Sequence, residues 1–189
     1  MRLFIAISLP QNIKKLLANL QSDLKETNGD LKIRWVETEN IHLTVQFIGS
    51  VEEEQATIVA KAVQQAVVGS TSFRLCLTKL AVFPSRTRPR VILVEMDGQL
   101  EIFKNLQKQV RHELRAAGFM DLPRAAAHVT LGRVKQPGAL PLDKWTKLSE
   151  KYWQRAPEWE VVDVDLMQSI LNRQGPVYHQ LHSFKLGSG

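Results

Sequence analysis

Apolar residues recur along the chain with two spacings, one typical of amphipathic helices and the other typical of strands. The helical spacing predicts helices over 12–25, 52–68, 100–117 and 142–152. Short runs of alternating or continuous apolar residues, bounded by polar, glycine or proline residues, indicate strands. The predicted strands cover 3–9, 31–36, 41–48, 72–82, 90–96, 127–134, 158–171 and 177–186.

The order of these elements favours an α+β fold with largely antiparallel sheets. A polar segment, 37–40, separates the strands 31–36 and 41–48 and suggests that these two form an antiparallel pair. Each half of the chain has long amphipathic helices and one strand with a histidine two residues before a threonine. These shared features indicate a weak internal repeat.

Composition and charge limit the function without choosing it. The chain has 189 residues, 44% hydrophobic and 23% charged, which suits a folded domain, and its net charge of +6 favours polyanionic partners. The single cysteine, Cys76, excludes an intrachain disulfide framework and multi-cysteine metal sites, and it favours a reducing, cytoplasmic setting. The apolar run 3–9 is too short to span a membrane, so we expect no membrane or targeting segment.

Two strands carry the most informative motif. His42 and His128 each begin a tetrapeptide of the pattern histidine, apolar, threonine, apolar, and the threonines are Thr44 and Thr130. Because side chains alternate along a strand, each imidazole shares a face with its threonine hydroxyl. If the two strands are neighbours across a cleft, the imidazoles can act as base and acid while the hydroxyls bind the oxygens of an anion. This set of groups suits phosphodiester chemistry without a metal.

Strict alternation also assigns faces to other side chains. Phe47 falls on the apolar face of its strand and is expected in the core. Arg133 falls on the face opposite the second histidine, unless a bulge at Gly132 turns it around or its long side chain bends at the strand end. The odd spacing of His179 and His182 puts them on opposite faces of the last strand, and we expect structural or surface roles for both.

A proline-rich loop carries Arg86, Arg88 and Arg90 and is expected to be exposed. The cluster either grips an RNA backbone or forms a solvated, charged loop, and the sequence leaves both alternatives open. In the last predicted strand, Tyr178 is a candidate for stacking on a substrate.

Two other functions compete with metal-free catalysis. A mononuclear zinc hydrolase would use His42 and His128 as ligands, but it needs a third ligand, and the sequence has no His-Glu-x-x-His pair. A nucleotide- or RNA-binding module would use the same cleft without turnover. A pure binder needs no acid and base, so the doubled histidine–threonine pair favours an enzyme.

The doubled motif resembles that of the two-histidine (2H) phosphoesterase superfamily, which has a pair of His-x-Thr-x motifs on facing strands. Further segments, spread in order over nearly the whole chain, are similar to those of the bacterial and archaeal RNA 2′,3′-cyclic phosphodiesterases. These segments are FIAISLP at 4–10, HLTVQFIG at 42–49, FPSRTRPRVILVEM at 83–96, HVTLGR at 128–133 and GPVYHQLHSFKL at 175–186.

The resemblance implies a role for each matching residue. His42 matches the histidine that donates a proton to the leaving ribose 3′ oxygen, and His128 matches the one that accepts a proton from the attacking water. Thr44 and Thr130 match the phosphate-binding threonines. Arg133 matches an arginine that follows the second motif and is a candidate for contacting phosphate or base. From the residues alone, the two histidines are interchangeable.

The resemblance also implies a fold, a partner and a product. We expect a bilobal, pseudo-symmetric α+β domain over 1–186, with antiparallel sheets lining a central cleft, helices outside, and 187–189 as a flexible tail or cloning remnant. The expected partner is an RNA with a 2′,3′-cyclic phosphate end, hydrolysed to a 2′-phosphate by a monomeric enzyme without metal or cofactor. In reverse, the same site would join such an end to a 5′-hydroxyl in a 2′-5′ linkage.

Overall fold

Four α-helices and nine strands make up the fold in the computed structural model, which describes residues 1–27, 31–136, 140–154, 156–172 and 175–187. The helices are α1 (Gln11–Glu26), α2 (Glu53–Val67), α3 (Leu100–Ala116) and α4 (Leu142–Trp153). The strands are β1 (Arg2–Ser8), β2 (Ile33–Trp35), β3 (His42–Ser50), β4 (Phe73–Phe83), β5 (Val91–Gly98), β6 (His128–Val134), β7 (Trp159–Val161), β8 (Asp163–Leu171) and β9 (Pro176–Lys185). The predicted α+β class is confirmed.

Each long helix buries the apolar stripe from which it was predicted. In α1 the fully buried side chains are Ile13, Leu17, Leu20 and Leu24, spaced by three or four residues. Burying one such aliphatic side chain stabilises the fold by about 1.5–3 kcal/mol. The one buried polar side chain among the described residues of α1 is Gln21, which lies on the same stripe.

The strands form one antiparallel sheet in the order β7-β4-β5-β6-β3-β1-β8-β9, and β2 also pairs with β6. The order is pseudo-symmetric about the junction of β6 with β3, because β5 flanks β6 as β1 flanks β3. At this junction the register places Leu43 opposite Val129. The two histidine motifs therefore meet at the centre of the sheet.

The sheet and its helices divide into two lobes around this junction. Lobe 1 comprises β3, β1, β8 and β9 with α2 and α3, and lobe 2 comprises β6, β5, β4, β7 and β2 with α1 and α4. Most helix contacts follow this division: α2 packs on α3 and β9, α3 on β3, and α4 on α1 and β4, while α3 also contacts β4 of lobe 2. Since α1 directly follows β1 in the chain yet packs in lobe 2, the lobes are interleaved rather than consecutive.

The predicted hairpin of 31–36 with 41–48 is wrong, because β2 pairs with β6. Trp35 lies opposite Gly132, and a Cβ atom at Gly132 would lie 3.2 Å from Trp35 Cε3 and 3.0 Å from Ile33 Cγ2. Contacts this short are rare for a real Cβ, so the absence of a side chain at Gly132 is what lets β2 dock there.

The prediction of a single strand over 158–171 is also wrong, because this range forms two strands that belong to different lobes. β7 pairs with β4, and β8 pairs with β1 and β9. They are separated by Val162, which is 42% exposed. Apolar residues alternate with acidic ones through both strands, so the pattern continues across the break and hides it.

At the C-terminal end, Gly187 forms a bridge with Thr71 and accepts a hydrogen bond from Ser72 N–H at 2.7 Å. The rest of the expected tail, 188–189, lies outside the described residues. Among the described helices, none combines the length and the apolar character needed to cross a membrane.

Candidate active site

The two histidine–threonine pairs lie side by side on one face of the central sheet. With Leu43 opposite Val129, the antiparallel register places His42 opposite Thr130, and Thr44 opposite His128. Each imidazole therefore lies diagonally across from the other, with a hydroxyl beside each. The two rings are close enough for a charge on His128 to lower the pKa of His42.

A β-bulge in each motif strand changes which side chains join this face. The register of β3 against β1 shifts at Val45, and the register of β6 against β5 shifts at Leu131. One extra residue reverses the alternation beyond it. Phe47 and Arg133 therefore lie on the same face as the histidines, at matching positions three residues after Thr44 and Thr130.

The prediction of Phe47 as a core residue is wrong. Its side chain is 45% exposed on the cleft face, and Gln46 occupies the buried position in its place. For Arg133, the bulge alternative is the one found, with the extra residue at Leu131 next to Gly132. Strict alternation therefore fails at both motifs for the same physical reason.

Two buried glutamines hold the bulged strands in matching ways. Gln107 of α3 donates from Nε2 to Val45 O at 3.0 Å and to Ala125 O at 2.9 Å. Gln21 of α1 donates from Nε2 to Leu131 O at 2.8 Å and to Val36 O at 2.9 Å. Each amide thus joins the bulge of one motif strand to the segment that leads into the other motif strand.

The pair of glutamines escaped the sequence prediction, although the sequence carried a signal. Gln21 and Gln107 each replace an apolar residue on the buried stripe of a helix. A buried polar residue needs a hydrogen-bond partner, so its position on such a stripe indicates a contact with another backbone. Only the structure identifies the carbonyls that receive it.

His42 is fixed by its ring neighbours and by one hydrogen bond. Its Nδ1 lies 2.8 Å from Asn40 O, and because a carbonyl only accepts, Nδ1 carries the hydrogen. The ring centroid lies 4.9 Å from that of Phe4 and 5.3 Å from that of Tyr178, which stands edge-on. Nε2 is thereby left for chemistry in the cleft.

Burial lowers the pKa of His42 from its ordinary value, because the charged imidazolium loses hydration. The Asn40 carbonyl opposes this effect, while the positive charges of His128 and Lys14 add to it. The free site therefore favours a neutral ring, and a bound anion would reverse the charge effects.

His128 has a matching environment. Burial lowers its pKa, the carbonyl of Ala126 opposes this lowering, and the positive charge of Arg133 adds to it. In both motifs the opposing carbonyl belongs to the residue two positions before the histidine. Burial first, and then the charge of Arg133, therefore favour a neutral imidazole at His128.

Tyr178 joins the site from the last strand pair, where β9 places it opposite Ser169. The ring of Tyr178 packs on His42, and its centroid lies 5.0 Å from that of Phe4. Burial raises the pKa of Tyr178, and the charges of Arg133, Arg2 and Arg34 offset part of this rise. The phenol is therefore protonated at neutral pH and available as a hydrogen-bond donor.

Arg34 lies beside Arg133 at the cleft, and the sequence analysis did not identify it. It lies opposite Arg133 in the pairing of β2 with β6. The sequence assigned its strand to β3, so the approach of the two arginines could not be anticipated.

The assignment of His179 and His182 to opposite faces is wrong. They lie opposite Gln168 and Leu166, two residues that share a face of β8, because the register shifts at Leu181. Both are exposed and lie on the face opposite the cleft. Within the described ranges, no group of three or more His, Cys, Asp or Glu side chains is arranged to hold a metal ion.

Comparison with known proteins agrees with this arrangement. The family model described as LigT like Phosphoesterase matches residues 7–93 and again residues 94–178, which confirms the internal repeat. A protein of Archaeoglobus fulgidus named RNA 2′,3′-cyclic phosphodiesterase is 31% identical over 98% of this chain and 100% of that protein. The protein of the same name from Aeropyrum pernix is 34% identical over 91% of this chain and 96% of that protein.

Solved structures share the fold. TT0787 of Thermus thermophilus superposes with a TM-score of 0.74, at 26% identity, over 100% of this chain and 99% of that one. LigT of E. coli in its apo form gives a TM-score of 0.74 at 22% identity, over 99% and 98% of the two chains. The resemblance inferred from the motifs is confirmed, and the chain belongs to the family of LigT-like phosphoesterases.

Proposed function

We propose that this protein hydrolyses RNA ends that carry a 2′,3′-cyclic phosphate, and that it produces a 2′-phosphate. The observation that carries the proposal is the diagonal arrangement of two imidazoles and two threonine hydroxyls on one sheet face. Relatives that match over nearly the whole chain carry the name of this activity, which adds support.

In the proposed reaction, His128 accepts a proton from a water molecule that attacks phosphorus. A bond forms between phosphorus and the water oxygen, and the bond from phosphorus to the ribose 3′ oxygen breaks. His42 donates its proton to that leaving oxygen, while Thr44 and Thr130 donate hydrogen bonds to the non-bridging oxygens. With a 5′-hydroxyl in place of water as the attacking group, the same steps in the same direction form a 2′-5′ linkage and release the ribose 3′ oxygen as a hydroxyl.

The assignment of acid and base follows the family resemblance. Burial and nearby positive charge lower the pKa of both His42 and His128 and favour the neutral form that a base needs. The negative charge of a bound phosphate would raise the pKa of both rings and favour the protonated form that an acid needs.

The product identifies the reaction. An oligoribonucleotide with a 2′,3′-cyclic phosphate end, incubated with the protein and a chelator, is expected to yield a 2′-phosphate, as measured by ³¹P NMR. His42→Ala and His128→Ala are each expected to lower kcat by about 10²–10⁴-fold, the usual contribution of a general acid or base. His112→Ala is the matched control, because this histidine lies on α3 with a side chain that is 80% exposed.

A 3′-phosphate product, or turnover that ceases when metal is removed, would contradict the proposed mechanism. Binding of the cyclic end without turnover would favour a binding module instead. We propose further that the enzyme is a cytoplasmic monomer, which sedimentation velocity and cell fractionation can check.

A further inference from the structure

A second concave surface lies next to the motif strands. This basic groove has a volume of about 790 Å³ and is lined by residues of the loop 83–91 and of the segment 133–136. Backbone hydrogen bonds fix its walls: Arg90 N–H donates to Phe83 O at 2.8 Å, and Val134 N–H donates to Arg90 O at 2.9 Å. Its volume lies within the range of about 300–1,000 Å³ that is usual for ligand sites.

The basic groove concentrates positive charge. Its lining includes Arg88, Arg90, Arg133 and Lys135, and among the described residues that line it none is acidic. No described residue forms an ion pair with these four side chains. Four like charges in one groove repel each other, and a polyanion that enters would relieve this repulsion.

The third arginine of the loop behaves differently. Arg86 forms an ion pair with Asp143 at the start of α4 and does not line the basic groove. The exposed loop predicted from the sequence therefore separates into one arginine tied to a helix and two arginines that face the groove.

The basic groove also presents an aromatic ring. Phe83 is 62% exposed, and Pro84 and Pro89 line the same surface. Single-stranded nucleic acids bind where cations follow the backbone and aromatic rings stack on bases. An inorganic anion cannot stack on the exposed ring, so the combination of cations and an aromatic ring favours single-stranded RNA.

The groove is continuous with the catalytic cleft through Arg133. This side chain lines the basic groove and lies on the same sheet face as His128, whose pKa its charge lowers. A cyclic phosphate held at the histidines is the 3′ end of an RNA, so every other nucleotide lies on its 5′ side. The strand must leave the cleft on one side, and the groove offers it cations and a stacking surface.

We infer that the basic groove binds the nucleotides on the 5′ side of the cyclic phosphate and makes the enzyme selective for oligonucleotides over cyclic mononucleotides. This inference rests on the proposed function, which supplies the position of the cyclic end. Arg88 and Arg90 are specificity-determining residues in this arrangement, because they contact the strand and not the reacting phosphate.

Substrate length and salt test the inference. The unaltered protein is expected to show a kcat/KM at least 10-fold higher for a tetranucleotide with a 2′,3′-cyclic end than for a 2′,3′-cyclic mononucleotide. The double variant Arg88→Gln/Arg90→Gln is expected to lose this preference while retaining its activity on the mononucleotide. Loss of two phosphate contacts should reduce the slope of log(kcat/KM) against log[salt] by about 1.4 for the tetranucleotide, or roughly 0.7 for each contact.

Arg86→Gln is the matched control, since it removes a charge from the same loop but outside the groove. It should leave the length preference unchanged. Phe83→Ala tests the stacking surface separately, and it should lower kcat/KM for the tetranucleotide without changing the salt slope.

Equal kcat/KM for the two substrates in the unaltered protein would overturn the inference, as would an equal loss on both substrates in the double variant. A direct measurement of RNA binding tests this inference separately from the proposed function. Fluorescence anisotropy with a labelled single-stranded RNA should show weaker binding to the double variant than to Arg86→Gln, whether or not the protein turns over a cyclic end. Unchanged RNA binding in the double variant would overturn the inference that the basic groove binds RNA, even if the protein hydrolyses the cyclic end.

Discussion

The two imidazoles have different charged neighbours. Both have a lowered pKa because burial removes hydration from the imidazolium, and both have a backbone carbonyl that partly offsets this effect. Arg133 adds its positive charge beside His128, whereas His128 itself and Lys14 add theirs beside His42. A site that is nearly symmetric in sequence is therefore asymmetric in its electrostatics.

The pH dependence of the reaction should follow from these directions. In the proposed mechanism, kcat/KM falls at low pH as the base His128 becomes protonated, and it falls at high pH as the acid His42 loses its proton. Because both pKa values are lowered in the free protein, the optimum of kcat/KM should lie below about pH 6.5, the ordinary value for histidine. The optimum of kcat should lie higher, since the bound phosphate raises the pKa of both rings.

Arg133→Gln should move the acid limb of the kcat/KM profile to higher pH. Removing the positive charge allows His128 to hold its proton more tightly, so protonation inactivates the base at a higher pH than before. Lys185→Gln, at an exposed ion pair with Asp163, is a control for the loss of one positive charge. An acid limb that stays in place in Arg133→Gln would contradict the electrostatic role, whatever the change in KM.

At the residue level, the sequence identified the histidines and threonines because their pattern is local and repeated. It misplaced Phe47, and it left Arg133 undecided between two faces. The side chain of Phe47 is turned by the extra residue Val45 in β3, and that of Arg133 by the extra residue Leu131 in β6. A bulge is specified by pairing with a neighbouring strand, so the alternation of apolar residues does not show where it occurs.

Among the elements, the bulges are held by helices from beneath the sheet. Gln21 and Gln107 each satisfy two backbone carbonyls, and the bulged residues Val45 and Leu131 are among the acceptors. A bulge disrupts the hydrogen bonds of its own ladder, so a donor from another element compensates for that loss. The two helices thereby fix the direction in which Phe47 and Arg133 project.

Gln107→Leu should destabilise the protein and impair catalysis together. The substitution keeps a similar volume but leaves Val45 O and Ala125 O without their donor, at a cost of about 1–3 kcal/mol for each buried carbonyl. Urea unfolding measures the loss of stability. We expect kcat to fall more than KM rises, because the strands that carry the acid and the base lose their fixed spacing.

The exposed glutamine Gln109, two residues further along the same helix, provides the control. Its Oε1 accepts one hydrogen bond from Ser70, and Gln109→Leu should change stability by less than about 0.5 kcal/mol. An activity loss in Gln107→Leu that matched only the unfolded fraction would contradict a positioning role.

The pairing of elements was harder to predict than their existence. All four helices and most strands lie close to the predicted ranges, because each has its own periodic pattern. The partner of β2 was wrong, since the short chain distance to β3 favoured a hairpin while Gly132 provides a docking place on β6. Long-range partners of this kind depend on shape, which no local pattern records.

At the scale of the whole molecule, the internal repeat does not give two separate halves. The family model matches the chain twice, yet α1 packs in lobe 2, and β8 and β9 complete lobe 1 from the far end of the chain. One residue, Val162, separates a strand of lobe 2 from a strand of lobe 1. The repeat therefore places one motif in each lobe, while the crossing elements tie the lobes together.

These crossings predict that the two lobes unfold as one unit. All four tryptophans, Trp35, Trp145, Trp153 and Trp159, belong to elements of lobe 2, so tryptophan fluorescence reports on that lobe, whereas far-UV circular dichroism reports on both. In urea, the two signals should give the same midpoint and the same slope, as expected for a cooperative transition. Loss of circular dichroism at a separate midpoint would mean that lobe 1 folds independently, and that the crossing of α1 and β8 does not couple the two motifs.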